Sequence, residues 1–332
     1  MPLIGPLPET TAVLVVRHAV RAWLADRDTL DVVAVGLSGG ADSTALTAAA
    51  VAESCESAVV HALVVDHGLQ PGSAQVAAQA AANATRLGAA SARVLAVTVG
   101  RDGGIEAAAR TARYTALRDA AQGSPVLLGH TLDDQAETVL LGLGRGSGGR
   151  SIHGMRAWDA PWGRPLLGVR RSTTRQMCVD LGVEVHDDPH NVAPEFTRVR
   201  LRHEVLPLLE DVLGGGVVAA LGRTADQLRD DSDVLDDLAA DLLDRARMAA
   251  DLDADLDTAV LASAPAAVRR RAIRSWLLDA GAKAVTATHL YAIDHLVVRW
   301  RGQGGVAVGG GSAGARLVAS RRRGRLSIDR IC

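Results

Sequence analysis

The sequence predicts an α/β fold: a parallel sheet with intervening helices, then a smaller, mainly helical region carrying a short β element. Three observations carry this. Apolar, β-branched runs alternate with alanine-rich segments up to about residue 130, the pattern of βαβ units whose strands are buried on both faces. Glycines and polar residues gather where each run ends, and ligands in such sheets bind at the carboxyl ends of the strands. Beyond the glycines at 214–216 the pattern turns to long helical segments and then to short runs broken by glycine.

In chain order, residues 10–27 read as a helix. The apolar runs at 31–38, 58–68, 92–100 and 124–131 read as strands, with helices between them at 42–54, 73–88 and 104–122. A glycine-rich loop follows at 142–155. A turn and a helix follow it, and the EFTRVRLRHEVLPLLEDVL segment reads as a further helix ending at Gly214–Gly216. That glycine break is the expected domain boundary, giving 1–213 and 214–332. Residues 217–250 and 257–301 read as helices, and the glycine-punctuated end reads as short strands.

The chain has 332 residues, enough for one large or two ordinary domains, and 48% of them are hydrophobic. Net charge is −2, so any nucleic-acid surface must be local; aromatics at 2% argue against recognition by rows of stacked rings. Cys55, Cys178 and Cys332 lie far apart without a C-x-x-C, which excludes a zinc ribbon or a disulfide framework. No basic leader and no run of about 18 apolar residues is present, so a cytoplasmic protein without membrane contact is expected.

The strand ending at Leu37 runs into Ser38-Gly39-Gly40-Ala41-Asp42-Ser43. Glycines let the backbone approach a ligand, and the amides of a following helix favour an anion, with phosphate the obvious guest. A Walker-type loop would need a lysine before its Ser/Thr, but the sole lysine is Lys283. Asp66 and His67 end the second strand and either flank a ligand or form a capped turn. His130, Asp133, Asp134 and Glu137 fall on one side of a helix. Carboxylates so close repel, and a cation such as Mg²⁺ would relieve them; Thr131 with Asp134 could equally form a helix cap. Arg110 and Arg113 suit phosphate or carboxylate recognition, or a surface ion pair with Glu106. Arg198, Arg200, Arg202 and His203, and separately Arg321, Arg322 and Arg323, are local basic patches fit for RNA backbone or for solvent.

S-G-G-x-D-S after a strand resembles the pyrophosphate loop of the ATP-pyrophosphatase superfamily. The order S-G-G-A-D-S, V-D-H-G-L, E-A-A-A-R-T-A-R-Y, G-H-T-L-D-D-Q-A-E-T, R-G-S-G, R-P-L-L, D-P-x-N and R-x-R-L-R-H-E-V-L-P is similar to the bacterial tRNA(Ile)-lysidine synthase family from about residue 30 to 212. The resemblance implies an adenine nucleotide alpha hydrolase-like (PP-loop) domain and a helical tRNA-binding domain. It implies ATP and Mg²⁺ as cofactors, free lysine and a CAU-anticodon isoleucine tRNA as substrates, and a tendency to dimerise. On this reading Ser38, Gly39, Gly40, Ala41, Asp42, Ser43, Asp66 and His67 bind ATP, with Asp42 and Asp134 on the metal. Asp42, His130, Asp133, Asp134 and Arg113 serve catalysis, and Arg110, Arg113, Glu137, Arg145, Arg198, Arg200 and Arg202 contact the substrates. The chain departs from the family pattern at Arg150–His153, where further Gly-Leu pairs are usual, and at Val199, where Asn is frequent.

Overall fold

The computed structural model describes residues 6–27, 30–54, 58–100, 104–146, 148–188, 196–250, 255–310 and 316–331. Cys55, Cys332 and most of the D-P-x-N segment lie outside the described residues, as does the side chain of Glu106. The chain divides into two compact units. One comprises Met1–Arg145 and Gly154–Ala225, the other Gly146–His153 and Asp226–Cys332.

The first unit is built on β1 (Val32–Gly36), β2 (Val59–Asp66), β3 (Ser91–Ala96) and β4 (Val126–Leu128). The helices α1 (Thr11–Ala25), α2 (Ala41–Ser54), α3 (Ser73–Arg86), α4 (Ile105–Ala121) and α5 (Leu132–Arg145) surround them in sequence. These are the expected elements, with ends that differ by a few residues. Two short strands, β5 (Trp158–Asp159) and β6 (Trp162–Gly163), extend the sheet to the order β3-β2-β1-β4-β6-β5. They have no counterpart in the sequence reading, because two-residue strands carry no periodicity. All pairings are parallel except β5 with β6.

β1 is flanked by β2 on one side and β4 on the other. The connections therefore diverge at β1 and β4, which opens a crevice at their carboxyl ends. Val33, Val35, Leu46 and Leu127 are buried in the layer beneath it. The second half of this unit supplies α6 (Arg171–Asp180), α7 (Thr197–Arg200), a π-helical turn at Leu201–Val205, and α8 (Leu206–Val212). Helix α9 (Val217–Met248) starts right after the glycine break. The division between the two units falls within α9, between Ala225 and Asp226.

The second unit holds the rest of α9, α10 (Thr258–Ala262), α11 (Ala266–Asp279) and α12 (Ala287–Val298). The single helical stretch expected at 257–301 is thus three helices. Pro265 interrupts one junction, and Gly281, at φ +89°, marks the other. β7 (Leu256–Asp257), β8 (Val306–Val308), β9 (Arg316–Arg322) and β10 (Arg325–Ile331) form an antiparallel sheet in the order β7-β10-β9-β8. Its core gathers Leu242, Leu256, Leu261, Ile273, Leu277, Leu317 and Leu326. Among the described residues no single helix is long and apolar enough to cross a membrane.

Candidate active site

The loop after β1 is a tight turn closed by its own hydroxyls. Ser43 Oγ accepts from Ser38 N at 3.1 Å, lies 3.0 Å from Ser38 Oγ and donates to the Gly40 carbonyl at 3.1 Å. Gly39 needs its glycine, at φ +86°. The closest approach in the site is at Gly129, just beyond β4. A Cβ there would lie 2.9 Å from Asp42 C and Ser43 N, so only glycine lets the fourth strand's end meet the start of α2. The sequence reading passed over Gly129. His186 also belongs here, its backbone N donating to the Gly39 carbonyl at 2.9 Å.

Two adjoining cavities open on this loop. One, of about 560 Å³, is lined by Ser38 and Gly40, by Asp66, His67 and Leu69 beyond β2, by Val76 and Ala77 of α3, and by Arg113 and Leu117 of α4. The other, of about 600 Å³, is lined by Ser38, Gly40, Ala41, Asp42 and Ser43, and by Arg113, His130, Asp134, Arg171, Arg202 and His203. Arg113 and His186 line both. Asp66 accepts the Gly68 amide at 3.0 Å, which holds its carboxyl below the usual range. Burial, helped by Arg113, lowers the His67 pKa.

Arg171, the first residue of α6, ties the acidic groups together. Its Nη2 donates to Asp134 Oδ1 at 2.5 Å, its Nε to Asp42 Oδ2 at 3.3 Å and its Nη1 to Glu137 Oε1 at 3.4 Å. Its backbone N donates to Asp133 Oδ2 at 2.8 Å. Burial alone would lower the Arg171 pKa, but Asp134, Glu137, Asp42 and Asp133 hold it above the usual arginine value. Burial pushes Asp42 up, against the pull of Thr174 and Arg171. Asp134 stays below its usual value despite burial, because Arg171, His130 and the Thr131 donors favour its charged form. The cap expected at Thr131 exists in reversed sense: Thr131 N and Oγ1 both donate to Asp134 Oδ2 at 2.8 Å.

Burial drives the His130 pKa to about 3, with Asp134 opposing and Arg113 adding to the shift. The ring is therefore neutral at neutral pH, and its buried Nδ1 has no hydrogen-bond partner. Cys178, under the loop, donates its thiol to the Ala41 carbonyl, and burial pushes its pKa up to about 12. It is an inert thiol.

Several of the expected ligands make contacts within the protein. Asp133 does not line either cavity; it accepts two bonds from Arg170 and the first amide of α6. Glu137 is fully buried and receives Arg202 Nε at 2.8 Å and Arg202 Nη2 at 3.3 Å. Arg198 and Arg202 do share a face, as their spacing requires, and both reach the buried Glu137 from it, Arg198 while still partly exposed. Arg200 is exposed and bidentate on Glu204. Arg110 donates to the Tyr114 hydroxyl at 3.1 Å and stacks over its ring. Arg145 is exposed in the last turn of α5. In the second unit Arg321 donates to the Leu296 and Val297 carbonyls at the end of α12, while Arg322 and Arg323 are exposed. Arg171 was missed, though a signal existed. Two arginines opening a helix oppose its dipole and call for acidic partners.

The residues expected to hold Mg²⁺ do not fit a resident metal. Asp42 Oδ1 accepts the Thr174 hydroxyl and Oδ2 accepts Arg171; both Asp134 oxygens are likewise taken. Among the described residues no three His, Cys, Asp or Glu side chains gather as metal ligands.

A phosphate-cradling loop at a parallel-sheet switch point, facing a charged crevice, defines a nucleotide-binding α/β protein of the PP-loop type. The PP-loop domain family matches residues 14–209, and the TilS substrate binding domain matches residues 256–327. The chain belongs to the tRNA(Ile)-lysidine synthase family. It is 67% identical over 316 residues to the tRNA(Ile)-lysidine synthase of Nocardia farcinica (strain IFM 10152), covering 95% of this chain and 97% of the relative. It is 64% identical over 322 residues to that of Rhodococcus erythropolis (strain PR4 / NBRC 100887), covering 97% of each. Among solved structures, the U34-tRNA thiolase NcsA from Methanococcus maripaludis superposes with a TM-score of 0.55 at 17% identity, over 65% of this chain and 79% of that one. That likeness concerns the fold alone.

Proposed function

We propose that the protein joins free lysine to C2 of the wobble cytidine in the CAU anticodon of an isoleucine tRNA. Cytidine O2 attacks the α-phosphate of ATP and pyrophosphate leaves. The lysine amine then attacks C2 and AMP leaves, giving lysidine and changing the codon read from AUG to AUA. The observation that carries this reading is the near full-length identity to lysidine synthases, 67% and 64%.

The geometry supports a set of residue roles. The cavity between Asp66, His67 and α3 suits the nucleoside of ATP, and the Ser38–Ser43 loop with the α2 amides suits its phosphates. Arg113 lines both cavities, the place to meet the α-phosphate and the charge that develops there. Asp134 lines the second cavity, where the lysine ammonium would share its carboxylate with Arg171 and Thr131. His130, uncharged at neutral pH, orients substrate by hydrogen bonding and does not store the proton that the amine gives up. Arg322 and Arg323, exposed on the second unit, suit tRNA phosphates. The test is transfer of labelled lysine to a CAU-anticodon isoleucine transcript, dependent on ATP. Pyrophosphate release with some other acceptor, and no lysine transfer, would overturn it.

A further inference from the structure

The crevice already contains a cation. Asp42, Asp134 and Glu137 bring three carboxylates, and each of their six oxygens has a donor. Thr174 and Thr131 serve one oxygen each of Asp42 and Asp134. Arg171 reaches all three residues, and Arg202 takes both oxygens of Glu137. The guanidinium's planar fork is suited to such multiple contacts, and it stays charged. A Mg²⁺ ion demands near-octahedral oxygen coordination and gives up its water reluctantly. The protein could offer it two carboxylates only by displacing Arg171 from both. Phosphate oxygens in the adjoining loop would supply the missing ligands and the compensating charge.

We propose that Arg171 is the resident cation of this cluster, so that a divalent ion enters the crevice only together with the phosphates of a nucleotide. Arg171 is a positioning residue: it fixes the carboxylates and keeps metal out until the nucleotide arrives. Metal and nucleotide binding are then coupled, each raising the affinity of the other by the same factor. The nucleotide half of this inference rests on the proposed function; the Arg171 half does not.

The experiment is Mn²⁺ binding to the full chain, read from the free-Mn²⁺ electron paramagnetic resonance signal. It is run with and without α,β-methylene ATP, and against the analogue alone. The wild-type protein is expected to bind Mn²⁺ at least tenfold more weakly without the analogue than with it. Arg171→Gln is expected to gain at least tenfold in nucleotide-free Mn²⁺ affinity, because two carboxylates lose their shared donor. Arg171→Lys, whose ammonium cannot span three carboxylates, is expected to gain part of that, and it decides the matter if the glutamine variant does not fold. Equal Mn²⁺ affinity with and without the analogue, or no gain in either variant, overturns the inference. Calorimetry of the analogue in buffer saturated with Mn²⁺ separates the two readings. If the analogue does not bind even there, the proposed function is at fault, and the Arg171 variants still decide what holds the metal out.

Discussion

Two arginine-rich stretches look alike in the sequence and behave differently in the structure. The Thr197–Glu204 stretch turns Arg198 and Arg202 toward the buried Glu137, and closes Arg200 onto Glu204. The Arg321–Arg325 stretch spends Arg321 on the carbonyls ending α12 but leaves Arg322 and Arg323 exposed. The sequence leaves both open between RNA backbone and solvent. The difference teaches that a run of positive charge reports only that anions are near. Whether those anions are the protein's own carboxylates or a partner's phosphates depends on what the fold places opposite.

The comparison predicts graded effects. Glu137→Gln removes the fully buried carboxylate that Arg171 and Arg202 share, leaving Asp134 and Asp42 to hold them, a change that costs up to about 3–5 kcal/mol. Thermal or urea unfolding should show it, and a loss under 1 kcal/mol would mean that the inward face is not a buried ion cluster. His130 sharpens the picture of the same crevice. Its folded pKa of about 3 lies below the ordinary value of 6.5. The unfolded chain therefore takes up a proton first, and stability falls as pH drops below 6.5 toward 3. The slope from this group is about 1.4 kcal/mol per pH unit. Urea midpoints between pH 7 and 4.5 should fall less steeply in His130→Asn than in the wild type.

Outside the crevice the effects should be smaller and of another kind. Replacing Arg322 and Arg323 by Gln should weaken tRNA binding about tenfold and flatten its salt dependence by about one unit per lost phosphate contact. ATP binding should not change. An unaltered salt slope would remove these residues from the RNA surface. Arg200→Gln breaks an exposed i,i+4 pair that solvent and salt screen, and its urea midpoint should match that of the wild type. A large loss there would show that the outward pair carries structure.

Much of the first unit was legible because its strands are continuous apolar runs and its helices are alanine-rich between glycine turns. The Ser38–Ser43 loop was legible because a phosphate cradle constrains residue type at every step. Two-residue strands at Trp158 and Trp162 were not, having no pattern to read. The acidic cluster on α5 was found, but its counter-charge was sought in a metal. Arg171 is 34 residues beyond Glu137 and 129 beyond Asp42, and only the packing of α6 on α2, with its first residue bonded to α5, brings them together. Spacing along one helix is local information; an ion pair across three helices is not. In the second unit Pro265 and Gly281 carry the break signals, and reading 257–301 as helix without a break passed over them.

The most direct measurement is lysine transfer. Purified protein is mixed with ATP, Mg²⁺, labelled lysine and an unmodified CAU-anticodon isoleucine transcript, with methionine tRNA as control. The account predicts label in the isoleucine transcript alone, and a fall of at least a hundredfold in Asp42→Asn, where the loop carboxylate is lost. Label in neither transcript, with pyrophosphate released by another acceptor, would contradict the lysidine assignment; full activity in Asp42→Asn would contradict the crevice as its site.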